Sequence, residues 1–468
     1  MTTVTLRFRA GVADETYSTT GLGHLVEHLV MRQLPRTTAT VNASVDPEYT
    51  QFFARGPAPE VAAFVRDTCR AICALVDGVS DEDLEREKRV LAAEDQGGDP
   101  SSIPLAERFG FVGHGLPSIG PVGLRSLTSA HVAHWVSRLL VVENCVLTVQ
   151  GPWPPLDDVE LPSGRRNERP LTPRVPGPFP RQLPLHNFPF TVVGFEFDGQ
   201  LSAGGTARVI TEKLESHLRA TLGRSYAVGM EQRYLDHATR HVSFVMDAAP
   251  GEHRSVAAEA LGELKRLMHD GPEQSDLDHD AAALEALLLD PEFADSLLYT
   301  ASHRLLAGSG DPSEDARSEV ARLRERTPDD VREHLRRAVP SLVVVFSGPE
   351  TLTAAECHAD PPFPAYPCVG EPVAGTKLSR RLLGGAPRGI RMVYNDHAVG
   401  YLLDDIWHSI PYDDIVGLGV DGDVRHVAGA SGCALVVDPE DFKGTEQLVR
   451  LLDSRAPVGT TYDATGLS

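Results

Sequence analysis

Two stretches of the chain run through the same kinds of element in the same order, and this internal duplication restricts the fold more than any other feature. The first opens with a strand (Val4 to Phe8) and a helix (Gly21 to Leu34), then a β-rich segment, TATVNASVDPEYTQFFARG. Three helices follow (Ala58 to Val76, Asp81 to Asp95, Ser129 to Leu140), and the stretch closes on VVENCVLTVQGP. The second opens with the strand FTVVGFEFDG and a helix (Gly205 to Leu222), then the hairpin SYAVGMEQRYLDHATRHVSFVMDA. Helices over Glu252 to His269, Leu277 to Leu289 and Pro328 to Ala338 precede its close, RAVPSLVVVFSGP. A repeat this long is too large for a solenoid unit, so the pattern predicts two tandem α+β units, each an antiparallel-type sheet with helices on one face.

Proline marks the joints. Eleven prolines fall between Pro152 and Pro189, and a second proline-rich stretch, ADPPFPAYPCVGEP, spans 359–372. Such segments are stiff and extended. The expected division is a first unit over 1–151, a linker over 152–184, a second unit over 185–350, a linker over 351–377 and a small β-rich domain over 378–468. That last part reads as short strands with Asn, Asp and Gly turns, then a closing helix, GTEQLVRLLDSR, with Thr445 as its N-cap. Strands ending on one helix suggest a pleckstrin-homology-like barrel. Its acidic loops around Asp404, Asp405, Asp413 and Asp414 offer no basic phosphate pocket, so a docking or dimer-shaping role is expected.

The formal charge of −22 argues against nucleic acid and anionic membranes as partners. No stretch of 18 apolar residues exists, and the first residues alternate like a strand instead of forming a secretion signal. Six cysteines (Cys69, Cys73, Cys145, Cys357, Cys368 and Cys433) are scattered and form no recognisable disulfide framework, which predicts a cytoplasmic protein.

The chemistry is concentrated in GLGHLVEHLV, residues 21–30. On a helix, Leu22, Leu25, Val26, Leu29 and Val30 form one apolar stripe, which centres His24, Glu27 and His28 on the opposite face. Both imidazoles can then reach one ion. Zinc accepts such nitrogens, and a neighbouring carboxylate can take a proton from water beside it. This His-x-x-Glu-His arrangement is that of the inverted zincins. Downstream, EDLEREKRVLAAEDQ is a charged helix with Glu87 and Glu94 seven residues apart, hence on one face.

Taken together, His24-x-x-Glu27-His28, VNASVDPEYTQFFARG and EREKRVLAAE resemble the pitrilysin-type zinc peptidases, the family of insulin-degrading enzyme and the mitochondrial processing peptidases. The resemblance covers about residues 3 to 350. It implies zinc held by His24, His28 and Glu94, with Glu27 as the base and Glu87 behind the ligands. It also implies an edge strand at Asn42, Ala43 and Ser44 that pairs with an extended peptide. In the second unit, LRATLGRSYAVG resembles the family's Leu-Arg-x-x-Leu-Gly-x-x-Tyr segment, which implies that Arg219 and Tyr226 hold the substrate backbone and help polarise the scissile carbonyl. Three departures stand out. The usual opening strand is missing, so His24 comes early; the interval from His28 to Glu94 is short and the aromatic-Gly-Thr that commonly follows the pentad is replaced by LVMRQLPRTT; and residues 378–468 have no counterpart in the family.

The resemblance therefore implies a zinc-dependent endopeptidase working on extended peptides in an enclosed chamber, with leader-peptide removal and general peptide turnover both compatible. The other reading is a non-catalytic scaffold or peptide-binding subunit of a heterodimer. Single-chain family members carry four such units and this chain carries two. A homodimer is therefore expected, each site taking zinc from one chain and Arg219 and Tyr226 from the other, with a heterodimer as the second arrangement.

Overall fold

The computed structural model describes residues 1–94, 98–156, 159–198, 202–225, 227–236, 238–290, 298, 301–303, 305–306, 316–357, 361–364, 370–403 and 406–466. The first unit contains β1 (Thr2–Phe8), α1 (Leu22–Arg32), β2 (Thr40–Val45), β3 (Thr50–Gly56), α2 (Ala58–Ala74), α3 (Asp81–Glu94), α4 (Ile103–Phe109), α5 (Ser129–Leu139) and β4 (Cys145–Gln150). Its strands lie in the order β2-β3-β1-β4 and every pairing is antiparallel. Val4, Leu6 and Phe8, two residues apart on β1, all turn to one face, as the pleat requires. There they meet Leu25, Val26, Leu29 and Val30 of α1 and the apolar faces of α2, α3 and α5 in one core.

The second unit repeats this plan. It contains β5 (Arg181–Leu185), β6 (Thr191–Asp198), α6 (Ser202–Glu215), β7 (Val228–Tyr234), β8 (Thr239–Met246), α7 (His253–Asp270), α8 (Gln274–Leu287), further helices at Ala316–Arg324 and Pro328–Ala338, and β9 (Val343–Ser347). The order β7-β8-β6-β9 reproduces β2-β3-β1-β4, with β5 added in parallel beyond β9. The fold is thus α+β with a duplicated sheet topology. Phe195, Phe197, Phe244 and Phe346 fill its core against α6 and α7.

Two elements extend the sequence reading. The short helix α4, which periodicity did not reveal, crosses the outer face of the second sheet. A Cβ on Gly194 of β6 would stand 2.7 Å from Pro104 Cβ, so glycine permits that approach. Arg108 of α4 donates to the carbonyl of Ser341 at 2.5 Å and pairs with Glu196 at 3.2 Å. The proline-rich stretch after β4 is fastened as well as extended. Asn167 Nδ2 and Arg169 Nε donate to Asp14 Oδ1 at 2.8 and 2.9 Å.

The C-terminal part forms two four-stranded sheets, one of Thr376–Lys377, Arg391–Tyr394, Ala398–Leu403 and Ile406–Pro411, the other of Ala434–Val437, Val424–Gly429, Ile415–Asp421 and Thr461–Asp463. The helix Glu446–Arg455 is not the last element. The strand Thr461–Asp463 follows it and pairs in parallel with Ile415–Asp421, and the Thr445 side chain makes no capping bond. Asp404 and Asp405 lie outside the described residues. Cys433 is disulfide-bonded, which the scattered spacing of the cysteines did not indicate, whereas Cys69, Cys73, Cys145 and Cys357 are free. Among the described residues, no helix is long and apolar enough to cross a membrane.

Burial holds two histidines in the neutral state. His114, in the turn Gly113–Ser118, is pushed down to about 3 by desolvation, and fully buried His241 lies well below the ordinary histidine value for the same reason. An unfolded histidine titrates near ~6.5. Below that pH the unfolded chain binds protons the folded chain refuses, so this contribution falls away as pH drops from about 6.5 towards 3. Buried Glu48 and Glu107, each pushed up to about 7, act in the opposite sense. The difference between two proteins isolates the histidine. The stability advantage of wild type over His114→Gln shrinks by about 1.4 kcal/mol per pH unit between pH 6 and 4, read by urea denaturation. A constant difference would contradict it.

Candidate metal centre

Helix α1 carries the pentad and is fixed at its start and along its buried face. At its start, Gly21 has φ +94°, a left-handed conformation that favours glycine. A Cβ there would also stand 2.7 Å from Pro121 Cβ. The Glu15 carboxylate accepts from the backbone N–H of Gly21 at 2.9 Å and of Gly23 at 2.7 Å. These are donors the first turn leaves without intrahelical partners. Burial nonetheless pushes Glu15 up to about 8, with the two amides drawing it the other way. Along the helix, Leu25, Val26 and Val30 are fully buried, so its rotation is set by the core.

That rotation brings His24, Glu27 and His28 together. Their ligand atoms lie within 4.8 Å of one another. His24 Nε2 is 3.7 Å and His28 Nε2 is 3.8 Å from Glu27 Oε2. The two rings meet edge to face with centroids 4.8 Å apart. Helix α3 supplies the carboxylates. Glu94 Oε2 is 3.4 Å from His28 Nε2, and Glu87 Oε2 is 3.5 Å from the other nitrogen of that ring, Nδ1. Glu87 is in turn met by Arg32 Nε at 3.5 Å. Two donors on a tetrahedral zinc, each about 2.0–2.1 Å from the ion, stand about 3.3 Å apart. The His28–Glu94 separation matches that edge, and two imidazoles with a carboxylate are donors zinc accepts. Glu87 lies on the far side of His28, at its Nδ1.

Burial raises the Glu27 carboxyl above its ordinary value; His28 opposes the rise and Glu94 adds to it. His24 is lowered by burial and by His28, with Glu94 opposing.

His24, Glu27 and Glu94 line a cavity of about 550 Å³. One wall is β2, the edge strand of its sheet, through Ala43 and Ser44. Asn42 sits on the same strand opposite Phe53 but does not line the cavity. Arg219 lies elsewhere, in the last turns after α6. It is exposed, pairs with Glu215 at 3.1 Å, and is not among the residues lining the cavity. Gly223, at φ +64°, ends that helix. Tyr226 lies outside the described residues. The second unit instead reaches the cavity through Arg233 of β7, whose guanidinium is 3.4 Å from Asp99. Neither Glu15 nor Arg233 was identified from the sequence. A buried acid just ahead of a Gly-x-Gly helix start was a local clue to Glu15. Arg233 is brought in by the pairing of two units and has no local signal.

No protein-family model and no curated protein matches the chain. Solved structures do. It is similar to the peptidase M16 inactive domain from Pseudomonas fluorescens, at 12% identity and TM-score 0.59, over 75% of this chain and 94% of that one. It is similar to a protease from Helicobacter pylori, at 13% identity and TM-score 0.57, over 74% and 94%. It is also similar to pitrilysin, at 13% identity and TM-score 0.51, over 75% of this chain and 43% of that one. The chain has the pitrilysin-type fold of the M16 peptidases, as the sequence resemblance implied.

Replacing Gly21 adds a left-handed alanine and a clash with Pro121. Gly21→Ala therefore lowers unfolding stability by about 1–3 kcal/mol in urea titration. An unchanged midpoint would show that the start of α1 relaxes freely.

Proposed function

We propose that the chain is a zinc-dependent endopeptidase acting on extended peptides. The observation that carries this reading is the grouping of His24, Glu27 and His28 on α1, with Glu94 of α3 3.4 Å from His28, beside a cavity walled by an edge strand. His24, His28 and Glu94 would hold the ion. Zinc bound there supplies Lewis acidity, which lets a water lose a proton near neutral pH and polarises a carbonyl. Glu27 takes the proton of the attacking water and returns it to the leaving amine. The free edge of β2 at Ala43 and Ser44 aligns the peptide through backbone hydrogen bonds, which demand little of its side chains. Glu87 keeps the His28 ring oriented through Nδ1.

Arg219 does not line the cavity, which accords with a symmetric homodimer in which Arg219 and Tyr226 of one chain serve the zinc site of the other. A scaffold role is the competing reading, and the likeness to an inactive M16 domain is what favours it.

Glu27→Gln separates the two. The amide cannot take a proton, so the variant keeps about one zinc per chain by elemental analysis yet loses cleavage of a quenched peptide library. A wild-type chain that binds zinc but cleaves nothing, with or without chelator, would leave the scaffold reading standing. The dimer is tested by mixing Glu27→Gln with Arg219→Ala chains during refolding. Recovery of part of the wild-type activity is expected from hybrid dimers with one intact site. No recovery in confirmed hybrids would place both sets within one chain.

A further inference from the structure

The C-terminal sheets end on the unit that carries the pentad, and they touch the supports of both helices that assemble the site. The first contact is Tyr17. Its ring lies 5.8 Å from Tyr462 and 5.4 Å from Phe111. Gly417 packs so closely on it that a Cβ there would stand 2.2 Å from Tyr17 Cδ1. Next to it, Ser18 Oγ donates to the Gly459 carbonyl at 2.6 Å. Two residues before Tyr17, Glu15 holds the first turn of α1. Glu15 also lines both the cavity at the pentad and a second one, of about 220 Å³, between this loop and the C-terminal sheets.

The second contact reaches α3. The backbone N–H of Asp463 donates to Ser126 Oγ at 2.7 Å, and the Arg125 guanidinium donates to the Thr465 carbonyl at 2.5 Å. The Arg125 carbonyl accepts from Lys88 Nζ at 3.1 Å. Lys88 adjoins Glu87 and lies on the helix that ends at Glu94. One short strand, Thr461–Asp463, and its flanks therefore hold a support of α1 and a support of α3 at once. The His28–Glu94 separation of 3.4 Å depends on how those two helices sit against each other.

We propose that the C-terminal domain positions the metal centre, with Tyr17 and Arg125 as the positioning residues through which it holds α1 against α3. This inference rests on the zinc reading. Outer-sphere losses typically cost about 10–100-fold in metal affinity. The contacts here act one step further out, so an effect near the lower end of that range is expected.

The test uses the full chain. Zinc affinity is measured by competition with a fluorescent chelator, and coordination geometry by the visible absorption of the cobalt-substituted protein. Tyr17→Ala, Gly417→Ala and Arg125→Ala each weaken zinc binding by about tenfold and shift the cobalt bands, whereas Tyr17→Phe, which keeps the ring, restores both. Arg125 is exposed, so its variant folds even where Gly417→Ala does not. Leu448→Ala, in the core of the C-terminal domain, serves as the control for mere destabilisation. Unchanged affinity and bands in Tyr17→Ala and Arg125→Ala overturn the inference while leaving the zinc reading intact. An equal change in Leu448→Ala also overturns it. Wild-type protein that takes up no zinc overturns the zinc reading and this inference with it.

Discussion

Helix α1 has to bury one stripe and present another, and the site follows from that constraint. Leu25, Val26, Leu29 and Val30 are buried against β1, α2 and α5. Each such side chain contributes about 1.5–3 kcal/mol on leaving water, so rotating the helix by even a fraction of a turn would forfeit several of these contributions together. Held in that rotation, His24 and Glu27 face the cavity beside β2, with His28 against them. The left-handed Gly21 and the Glu15 carboxylate fix the helix lengthwise as the core fixes it in rotation. A change to the core of this unit is therefore also a change to its chemistry.

Helix α3 adds the charge. Glu27 lies beside both imidazoles and Glu87 and Glu94 beside that of His28, with Arg32 beside Glu87. Carboxylates so close raise one another's energy unless a cation or a proton intervenes. A divalent ion held by the imidazoles and Glu94 would offset that repulsion, and such an ion is often the largest local charge in a site of this kind. The short His28–Glu94 separation then reads as a property of two packed helices. Their supports are also met by the C-terminal sheets.

The parts of this protein that were legible in sequence are those with a local period. The 3.6-residue stripe of α1 orients the pentad, and the seven-residue spacing of Glu87 and Glu94 puts both on one face. The duplication was legible because two sheets with one strand order impose one element order. What escaped has no period. Helix α4 is seven residues long and begins Ile-Pro, so it shows barely two turns. Arg233 enters the cavity only because two units pack. Tyr17 looked like any aromatic in a Thr-rich loop until Gly417 and Tyr462, more than 390 residues away, closed on it. The disulfide at Cys433 escaped for the same reason, since scattered cysteines carry no spacing code.

The proposed activity requires one zinc ion between α1 and α3. A crystal structure of the full chain grown with zinc, with anomalous diffraction collected on both sides of the zinc edge, addresses it directly. The account predicts one strong anomalous peak per chain, about 2.0–2.2 Å from Nε2 of His24, Nε2 of His28 and a carboxylate oxygen of Glu94, with Glu27 near it but unbound. A peak held by other residues, or none at these three in zinc-saturated crystals, would contradict it.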